Sequence, residues 1–379
     1  MKKKIMLVFG TRPEAIKMAP LCHALKARPD EFETLVCVTA QHRQMLDQVL
    51  KVFGLEPDID LNLMKAGQDL FDVTASVLVG MREVLRAARP DALLVHGDTT
   101  TTLAAAMAGF YLGIPVGHVE AGLRTFDLQA PFPEEFNRQV ASKVTRWHFA
   151  PTAVSRQNLL SERIPQEHIT VTGNTVIDAL FWVLQRIESD PVRRKAVSDV
   201  LNARLPFDWR TQQFVLITGH RRENFGDGFL QIGAALQALA ARFPKVHFVY
   251  PVHLNPNVQK PVNDLLAGRA NVHLVEPLDY EPFAWLLKHC HVVLTDSGGI
   301  QEEAPSLGKP VLVMRDVTER PEAVQAGTVR LVGANRERIV AELSDLLENP
   351  ASHREMARAH NPYGDGKACE RIIEVLRAI

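Results

Sequence analysis

Short apolar runs of strand length alternate with helix-spaced patterns along this sequence, and that alternation constrains its fold more than any other feature. Ile5–Phe9, Thr34–Thr39, Ala92–Val95, Val116–Val119, Trp147–Ala150 and Ile169–Thr172 form a first set. Phe214–Thr218, Val246–Tyr250, Val272–Val275, His291–Thr295, Val311–Met314 and Val329–Val332 form a second. Between the runs, Met18, Leu21, Cys22 and Leu25 fall on one helical face, with Pro20 expected in the first turn, and Ile232, Ala235, Leu236 and Leu239 repeat the spacing. Strand then helix, repeated, means parallel sheets covered by helices on both faces. The expectation is an α/β protein with two doubly wound, Rossmann-like domains facing a cleft, at residues 1–172 and 173–362. The amphipathic stretch Ile177–Ala203 would open the second domain. A turn at Asn361-Pro-Tyr-Gly-Asp-Gly precedes a last helix at 363–379, expected to fold back on a domain, with the first as the preferred choice. Ligands of doubly wound sheets lie outside the carboxyl ends of the strands.

At 379 residues the chain can build two cores, and its net charge of -1 lacks the basic excess that a nucleic-acid or membrane partner requires. Cys22, Cys37, Cys290 and Cys369 are scattered without metal-ligand spacing and read as core thiols of a reducing compartment. The apolar run after Met1-Lys2-Lys3-Lys4 is too short for a signal peptide and reads as a first strand. With no run of membrane-spanning length, the expected location is the cytoplasm.

The function is concentrated in Val292–Ala326. Val292-Val293-Leu294 breaks at Asp296-Ser297-Gly298-Gly299 and resumes with helix-compatible residues, so unpaired N–H groups at a helix start, clear of side chains, form an anion site. Glu302 and Glu303 are placed in the first turn of that helix, where a phosphate would not tolerate both; one of them suits the hydroxyls of a ribose. Arg315 or Arg320 supplies the countercharge. The pattern reads as a nucleotide diphosphate cradle or, taken alone, as an ordinary strand-turn-helix corner whose Glu residues favour the helix dipole. Neither the dinucleotide fingerprint nor the P-loop pattern follows either first strand. His42, His96, His118 and His253 lack the pairing with a carboxylate that a metal site needs, so neither a metal nor a cofactor is expected.

The first domain carries polar groups at its strand ends: Gly10-Thr11-Arg12-Pro13-Glu14, Gly97-Asp98-Thr99 and Glu120-Ala121-Gly122-Leu123-Arg124. Arg12 and Lys17 can meet a phosphate, while Asp98, Glu120 and the pair Glu134-Glu135 can do acid–base work; a single Asp at a strand end reads as a cap of the next helix, and it is the cluster that points to chemistry. Glu120 follows an apolar strand directly, where its desolvation calls for a reason. In the second domain, Gly219-His220-Arg221-Arg222 follows the first strand, and His220 can donate to a phosphate.

The stretches FGTRPEAIKMAP, TAQHRQMLDQVL, VHGDTTTT, HVEAGLRT, PFPEEFNRQ, TGHRREN, PVHLNPNV, LTDSGGIQEEAPSLGKPVLVMRDVTERPEA and NPYGDG, spread over nearly the whole chain, resemble the non-hydrolysing UDP-N-acetylglucosamine 2-epimerases. The resemblance implies a glycosyltransferase-B-type fold and a cytoplasmic homodimer. It further implies reversible conversion of UDP-N-acetylglucosamine to UDP-N-acetylmannosamine through UDP and a 2-acetamidoglucal, supplying surface polysaccharide synthesis. Carried over by position, it implies UDP contacts from Arg12, His220, Phe283, Ser297, Gly298, Gly299, Glu303 and Arg320. Lys17, Asp98, Glu120 and Glu134 would line the sugar site, with Asp98, Glu120, Glu134 and His220 as the catalytic groups. Leu278 stands where some relatives carry Gln, a harmless change for a backbone contact. In some relatives a second, activating UDP-sugar binds at positions matching Gln41, Gln44, Arg221 and His253, although Gly67 stands where such relatives can carry Arg. A UDP-sugar glycosyltransferase, a UDP-sugar sensor and a hydrolysing epimerase share the cradle and stay open at this point.

Overall fold

The computed structural model describes residues 2–39, 43–65 and 67–379, and for residues 43 and 44 the backbone alone. It divides into two compact units, 1–182 with 363–379, and 183–362.

The first unit runs β1 (Lys3–Phe9), α1 (Arg12–Lys26), β2 (Phe32–Val38), α2 (Arg43–Phe53), β3 (Ile59–Asp60), α3 (Leu70–Ala88), β4 (Ala92–His96), α4 (Thr100–Tyr111), β5 (Val116–Val119), α5 (Glu134–Val144), β6 (Trp147–Ala150), α6 (Ala153–Ser161), β7 (Ile169–Val171) and the start of α7 (Thr175–Ser189). Its strands form one parallel sheet in the order β3-β2-β1-β4-β5-β6-β7. Ile5 to Phe9 are fully buried, as expected of a central parallel strand covered on both faces, which is why the sequence shows a continuous apolar run there. The two-residue β3, paired through Cys37 with Ile59 and Val38 with Asp60, is too short to leave such a signature.

Helix α1 corrects one expectation. It starts at Arg12, with Pro13 near its first position, so Pro20 lies in its interior rather than its first turn. Pro20 costs the helix a backbone hydrogen bond, but Met18, Ala19, Leu21 and Cys22 around it are fully buried, and packing carries the helix through.

The boundary between the units also differs from the expected residue 172/173: it falls inside α7, between Trp182 and Val183. The first half of α7 is held by Trp182, which stacks on His23 and Phe53 of α1 and α2 with ring centroids 4.9 Å apart in each case. The stretch expected to run from Ile177 to Ala203 breaks at Asp190-Pro191, where Asp190 Oδ1 accepts from the amides of Val192 (2.9 Å) and Arg193 (3.2 Å) and caps α8 (Pro191–Arg204).

The second unit continues with β8 (Phe214–Thr218), α9 (Asp227–Arg242), β9 (His247–Pro251), α10 (Pro256–Leu266), β10 (Val272–Val275), α11 (Tyr280–His289), β11 (Val292–Thr295), α12 (Gly298–Ser306), β12 (Val311–Val313), α13 (Pro321–Gln325), β13 (Val329–Leu331), α14 (Arg336–Glu348) and α15 (Pro350–Arg358). The parallel order is β10-β9-β8-β11-β12-β13. The last helix, α16 (Ala368–Arg377), belongs to the first unit: Asp178 of α7 accepts from the amides of Ala368 (3.2 Å) and Cys369 (2.9 Å) at its start, and Arg371 donates to the Thr172 carbonyl (2.9 Å). All four cysteines are free and buried, and burial pushes the Cys22, Cys37 and Cys290 thiols up to about 12. No helix among the described residues is long and apolar enough to cross a membrane.

Three histidines sit in the sheet of the first unit: His96 ends β4, and His118 of β5 stands opposite His148 of β6. Desolvation lowers their pKa values to about 4, about 4 and about 3. Each is neutral when folded and free to protonate near 6.5 when unfolded. The depressed folded value means that this stability is intact above pH 6.5 and is lost as the pH falls from 6.5 toward 4, by on the order of 1 kcal/mol per pH unit and histidine. Denaturant titrations at pH 7.5 and pH 5 should show a marked loss at the lower pH, and His148→Leu should reduce the difference. An equal difference in wild type and variant would remove His148 as a source of it.

Candidate active site

The order of the first sheet reverses between β1 and β4, and in the second between β8 and β11; loops at such points are where doubly wound sheets bind ligands. In the first unit the loops after β1 and β4 are tied together by Glu14, which is 2% exposed. Its Oε2 accepts from the amides of Gly10 (3.0 Å) and Thr11 (2.8 Å) and from the Thr11 hydroxyl (2.8 Å); its Oε1 accepts from the Thr99 hydroxyl (2.6 Å). Burial pushes the Glu14 carboxyl above its usual range against the pull of these donors. Arg12 and Lys17 are thereby carried on a helix whose start is fixed.

Glu120 stands at the end of β5 with φ +65°, a left-handed conformation that costs a residue with a side chain on the order of 1 kcal/mol. Its Oε2 accepts from Lys17 Nζ and from Asn174 Nδ2 (2.7 Å), and His96 Nε2 lies 4.0 Å from the same oxygen. Asp98 is not a helix cap: Thr99 caps α4, accepting from the Thr102 amide at 3.2 Å. The Asp98 Oδ2 instead receives Arg138 Nε (3.0 Å) and Nη2 (2.7 Å), and Arg138 is anchored from its other side by Glu135 (3.1 Å).

The pair Glu134-Glu135 divides its work. Glu135 is fully buried; burial would raise its pKa, and Gln139, the amides of Thr125 and Phe126, and Arg138 hold it below the usual range. Glu134 opens α5, half-buried, and its carboxylate forms no hydrogen bond among the described residues. Arg124 is scaffolding, bonded to Glu162 (2.5 and 3.1 Å) and Ser142 (2.8 Å).

In the second unit, Thr218 and Thr295 are register partners at the ends of β8 and β11. Ser297 caps α12 by position but not through its hydroxyl, so the first amides of the helix remain available as anion donors. A Cβ on Gly298 would come within 2.5 Å of Arg320 Nη1, so only glycine lets the guanidinium lie against the helix start; a Cβ on Gly299 would meet open space.

Glu302 and Glu303 fall in the second turn of α12, not the first, because the helix begins at Gly298. Glu302, 1% exposed, accepts from Arg320 Nε (2.6 Å), and Arg320 Nη1 lies 3.1 Å from Glu319. Glu303 accepts from the Tyr280 hydroxyl (3.2 Å). Arg315 is committed to Glu223 (2.5 Å) and Glu319 (2.6 Å), which leaves Arg320 as the cation at the helix start. Glu319 is held at about 2: burial opposes ionisation, and Arg320, its own amide and Arg315 overcome it.

Fully buried Asp296 shapes the loop after β8, accepting from the amides of His220 (2.9 Å) and Arg221 (2.9 Å) and from Asn224 Nδ2 (3.2 Å). The His220 ring stacks on His253 at 5.2 Å, and desolvation holds its pKa below the usual value, with Asp296 opposing. Leu278, in the loop before α11, and Phe283, in the first turn of α11, are both half-buried. Gln41 lies outside the described residues, as does the side chain of Gln44.

Sequence reading missed Glu14, His96, Arg138, Asn174 and Asp296. Arg138 left a signal, three residues after Glu135 on a helix, and so did Glu14, three residues after Thr11 in a capping-box pattern; the others reveal themselves through partners distant in sequence.

The fold and these strand-end loops describe a protein of two Rossmann-like units, one carrying a helix start without a side-chain cap and the other a cluster of partly buried acids. A model of the UDP-N-acetylglucosamine 2-epimerase family matches residues 23–377. The UDP-N-acetylglucosamine 2-epimerase of Yersinia pestis is 58% identical over 374 residues, covering 99% of this chain and 98% of that protein. The crystal structure of UDP-GlcNAc 2-epimerase from Neisseria meningitidis bound to UDP-GlcNAc superposes with a TM-score of 0.90 at 51% identity, covering 99% of this chain and 100% of that one. The enzyme from Methanocaldococcus jannaschii in complex with UDP-GlcNAc and UDP gives 0.81 at 32% identity, with 99% and 100% covered. The chain belongs to the UDP-N-acetylglucosamine 2-epimerase family.

Proposed function

We propose that this chain is an isomerase of the non-hydrolysing kind, interconverting UDP-N-acetylglucosamine and UDP-N-acetylmannosamine by elimination of UDP and its re-addition. The observation that carries the reading is Glu120: a carboxylate held at a strand end in a strained backbone conformation, against Lys17 and Asn174. Such an arrangement has a cost that scaffolding alone does not need.

The chemistry follows from the weakness of the C2 proton as an acid. A carboxylate cannot remove it unless electrons are first drawn from C1, and departure of UDP does this. The C1–O bond breaks with its electron pair leaving on UDP; C1 becomes oxocarbenium-like, and C2 gives its proton to a base, leaving a 2-acetamidoglucal. Return of a proton to the opposite face of C2 and re-addition of the UDP oxygen to C1 complete the inversion. Two faces require more than one acid–base group, which Asp98, Glu120 and Glu134 provide.

His220, the Ser297-Gly298-Gly299 helix start, Arg12 and Arg320 hold the leaving diphosphate; a fixed donor set of this kind stabilises the charge that develops on it. Glu303 takes the ribose, Phe283 and the backbone of Leu278 contact the nucleotide, and Lys17 faces the sugar. Arg221 and His253 would contribute to the site of an activating second UDP-sugar. The product would supply surface polysaccharide synthesis, in the cytoplasm and from a homodimer.

Incubation with UDP-N-acetylglucosamine in deuterated water, with no acceptor, is the test. Deuterium at C2 of a product still bearing UDP is expected. Free N-acetylmannosamine and UDP would indicate a hydrolysing enzyme, and unlabelled, unconverted substrate would overturn the reading.

A further inference from the structure

His96 is the buried titratable group next to the acids that the chemistry above leaves unused. It is 3% exposed, and neither ring nitrogen has a hydrogen-bond partner among the described residues. An unpaired ring nitrogen so deeply buried is rare, because its lost hydration goes uncompensated, and it marks either a cost tolerated for a purpose or a bond made in another state. Its Nε2 stands 4.0 Å from Glu120 Oε2, about 1 Å beyond hydrogen-bond range. That same oxygen is occupied by Lys17 and Asn174. His96 cannot readily become a cation there, since burial holds its pKa down to about 4, with Lys17 and His118 adding to the depression against Glu120 and Asp98. It is a neutral ring with an N–H to give.

A carboxylate bonded to an ammonium is a poor base, because the adjacent positive charge favours its ionised form. To accept a proton from C2, Glu120 must be released from Lys17; Asn174 stays on its Oε2, and the place that the ammonium leaves calls for a neutral donor. We propose that His96 is a positioning residue that supplies it: when Lys17 turns to the substrate, Glu120 closes on His96 Nε2–H, which orients the carboxylate without adding a charge. The inference rests on the epimerase reading and names a residue beyond its acids. Lys17 from α1, Asn174 ahead of α7 and His96 from β4 face this oxygen, with Asp98 and His118 acting through space on His96.

The test compares His96→Leu, which removes the donor, with His96→Gln, whose Nε2–H reaches a similar position. Wild type must first convert UDP-N-acetylglucosamine; if it does not, the epimerase reading fails and not this one. Given conversion, His96→Leu should lower kcat by about 10- to 100-fold, the worth of a hydrogen bond to a charged group, with KM little changed. A carboxylate that has lost a donor is protonated more easily, so the limb of the pH profile set by Glu120 should move to higher pH in His96→Leu and return in His96→Gln. A lowered kcat with an unmoved limb, or full activity in His96→Leu, would overturn the proposal. Should His96→Leu fail to fold, the wild-type protein decides: with histidine labelled by ¹⁵N, the His96 Nε2–H resonance should shift downfield at saturating UDP-N-acetylglucosamine, and an unchanged resonance would overturn it.

Discussion

Asp98→Asn and Glu120→Gln should each lower turnover by about 100- to 10,000-fold, the range for loss of a positioned acid or base, while UDP binding survives. Both substitutions keep the shape of the side chain and remove its capacity to take or give a proton. At Asp98, the amide oxygen can still accept from Arg138, which keeps its anchor on Glu135, so the loop after β4 should stay in place. At Glu120, the amide oxygen can still accept from Asn174, and the cost falls on the charge pairing with Lys17. The contrast between the two units is what gives the prediction its force: the groups assigned to UDP lie largely on α12, α11 and the loop after β8, in the unit that does not contain these acids. Calorimetric titration with UDP, alongside steady-state rates, provides the check. A fall in affinity as steep as the fall in turnover would make both carboxylates structural.

Arg320→Ala should destabilise the protein by about 3–5 kcal/mol, the cost of breaking a buried ion pair from one side. Glu302, 1% exposed, would keep its charge and lose the Arg320 Nε donor at 2.6 Å, and Glu319 would lose the guanidinium at 3.1 Å. UDP affinity should fall as well, because the guanidinium lies against Gly298 at the helix start. Removing both charges separates the two effects: Glu302→Gln with Arg320→Met should recover most of the stability in denaturant titrations and none of the UDP affinity. Recovery of both would show that Arg320 matters only as the partner of Glu302. For comparison, Glu303→Ala should weaken UDP by about 1.5–3 kcal/mol, the worth of one charge-assisted hydrogen bond; unchanged affinity would remove Glu303 from the ribose.

Arg320 also shows how far local reading carries. From the sequence, Glu302 and Glu303 were two carboxylates too close to a phosphate site for both to serve it, and one had to be committed elsewhere. The structure assigns Glu302 to Arg320, eighteen positions later in the chain, and turns an apparent conflict of charges into the device that fixes the cation beside the glycines. The same holds at Asp98. As a lone Asp before a threonine-rich helix it resembles a cap, and only the approach of Arg138 from α5 shows that Thr99 does the capping and Asp98 is held in an ion pair.

The sequence by itself determined the parallel architecture, because a strand buried on both faces must be continuously apolar, and runs such as Ile5–Phe9 and Val292–Thr295 have no other use. It determined where sites would collect, because polar residues directly after such runs can only stand at strand ends, and it determined that a strand turns toward a helix at Ser297-Gly298-Gly299, because chain-local turns are written in adjacent residues, although the helix begins earlier than that reading placed it. Tertiary structure alone decided which partner each charged group takes: Lys17 and Asn174 on Glu120, Arg138 on Asp98, Arg320 on Glu302, and no partner among the described residues for His96. It also decided that α7 starts in one unit and ends in the other, since its local pattern is one uninterrupted helix and contacts distant in sequence, the stack of Trp182 on His23 and Phe53 and the bonds of Asp178 to the start of α16, tie its first half down. Periodicity reports which face of an element is buried; it does not report against what, and pairings between residues far apart in the chain depend on distances that exist only once the sheets have formed.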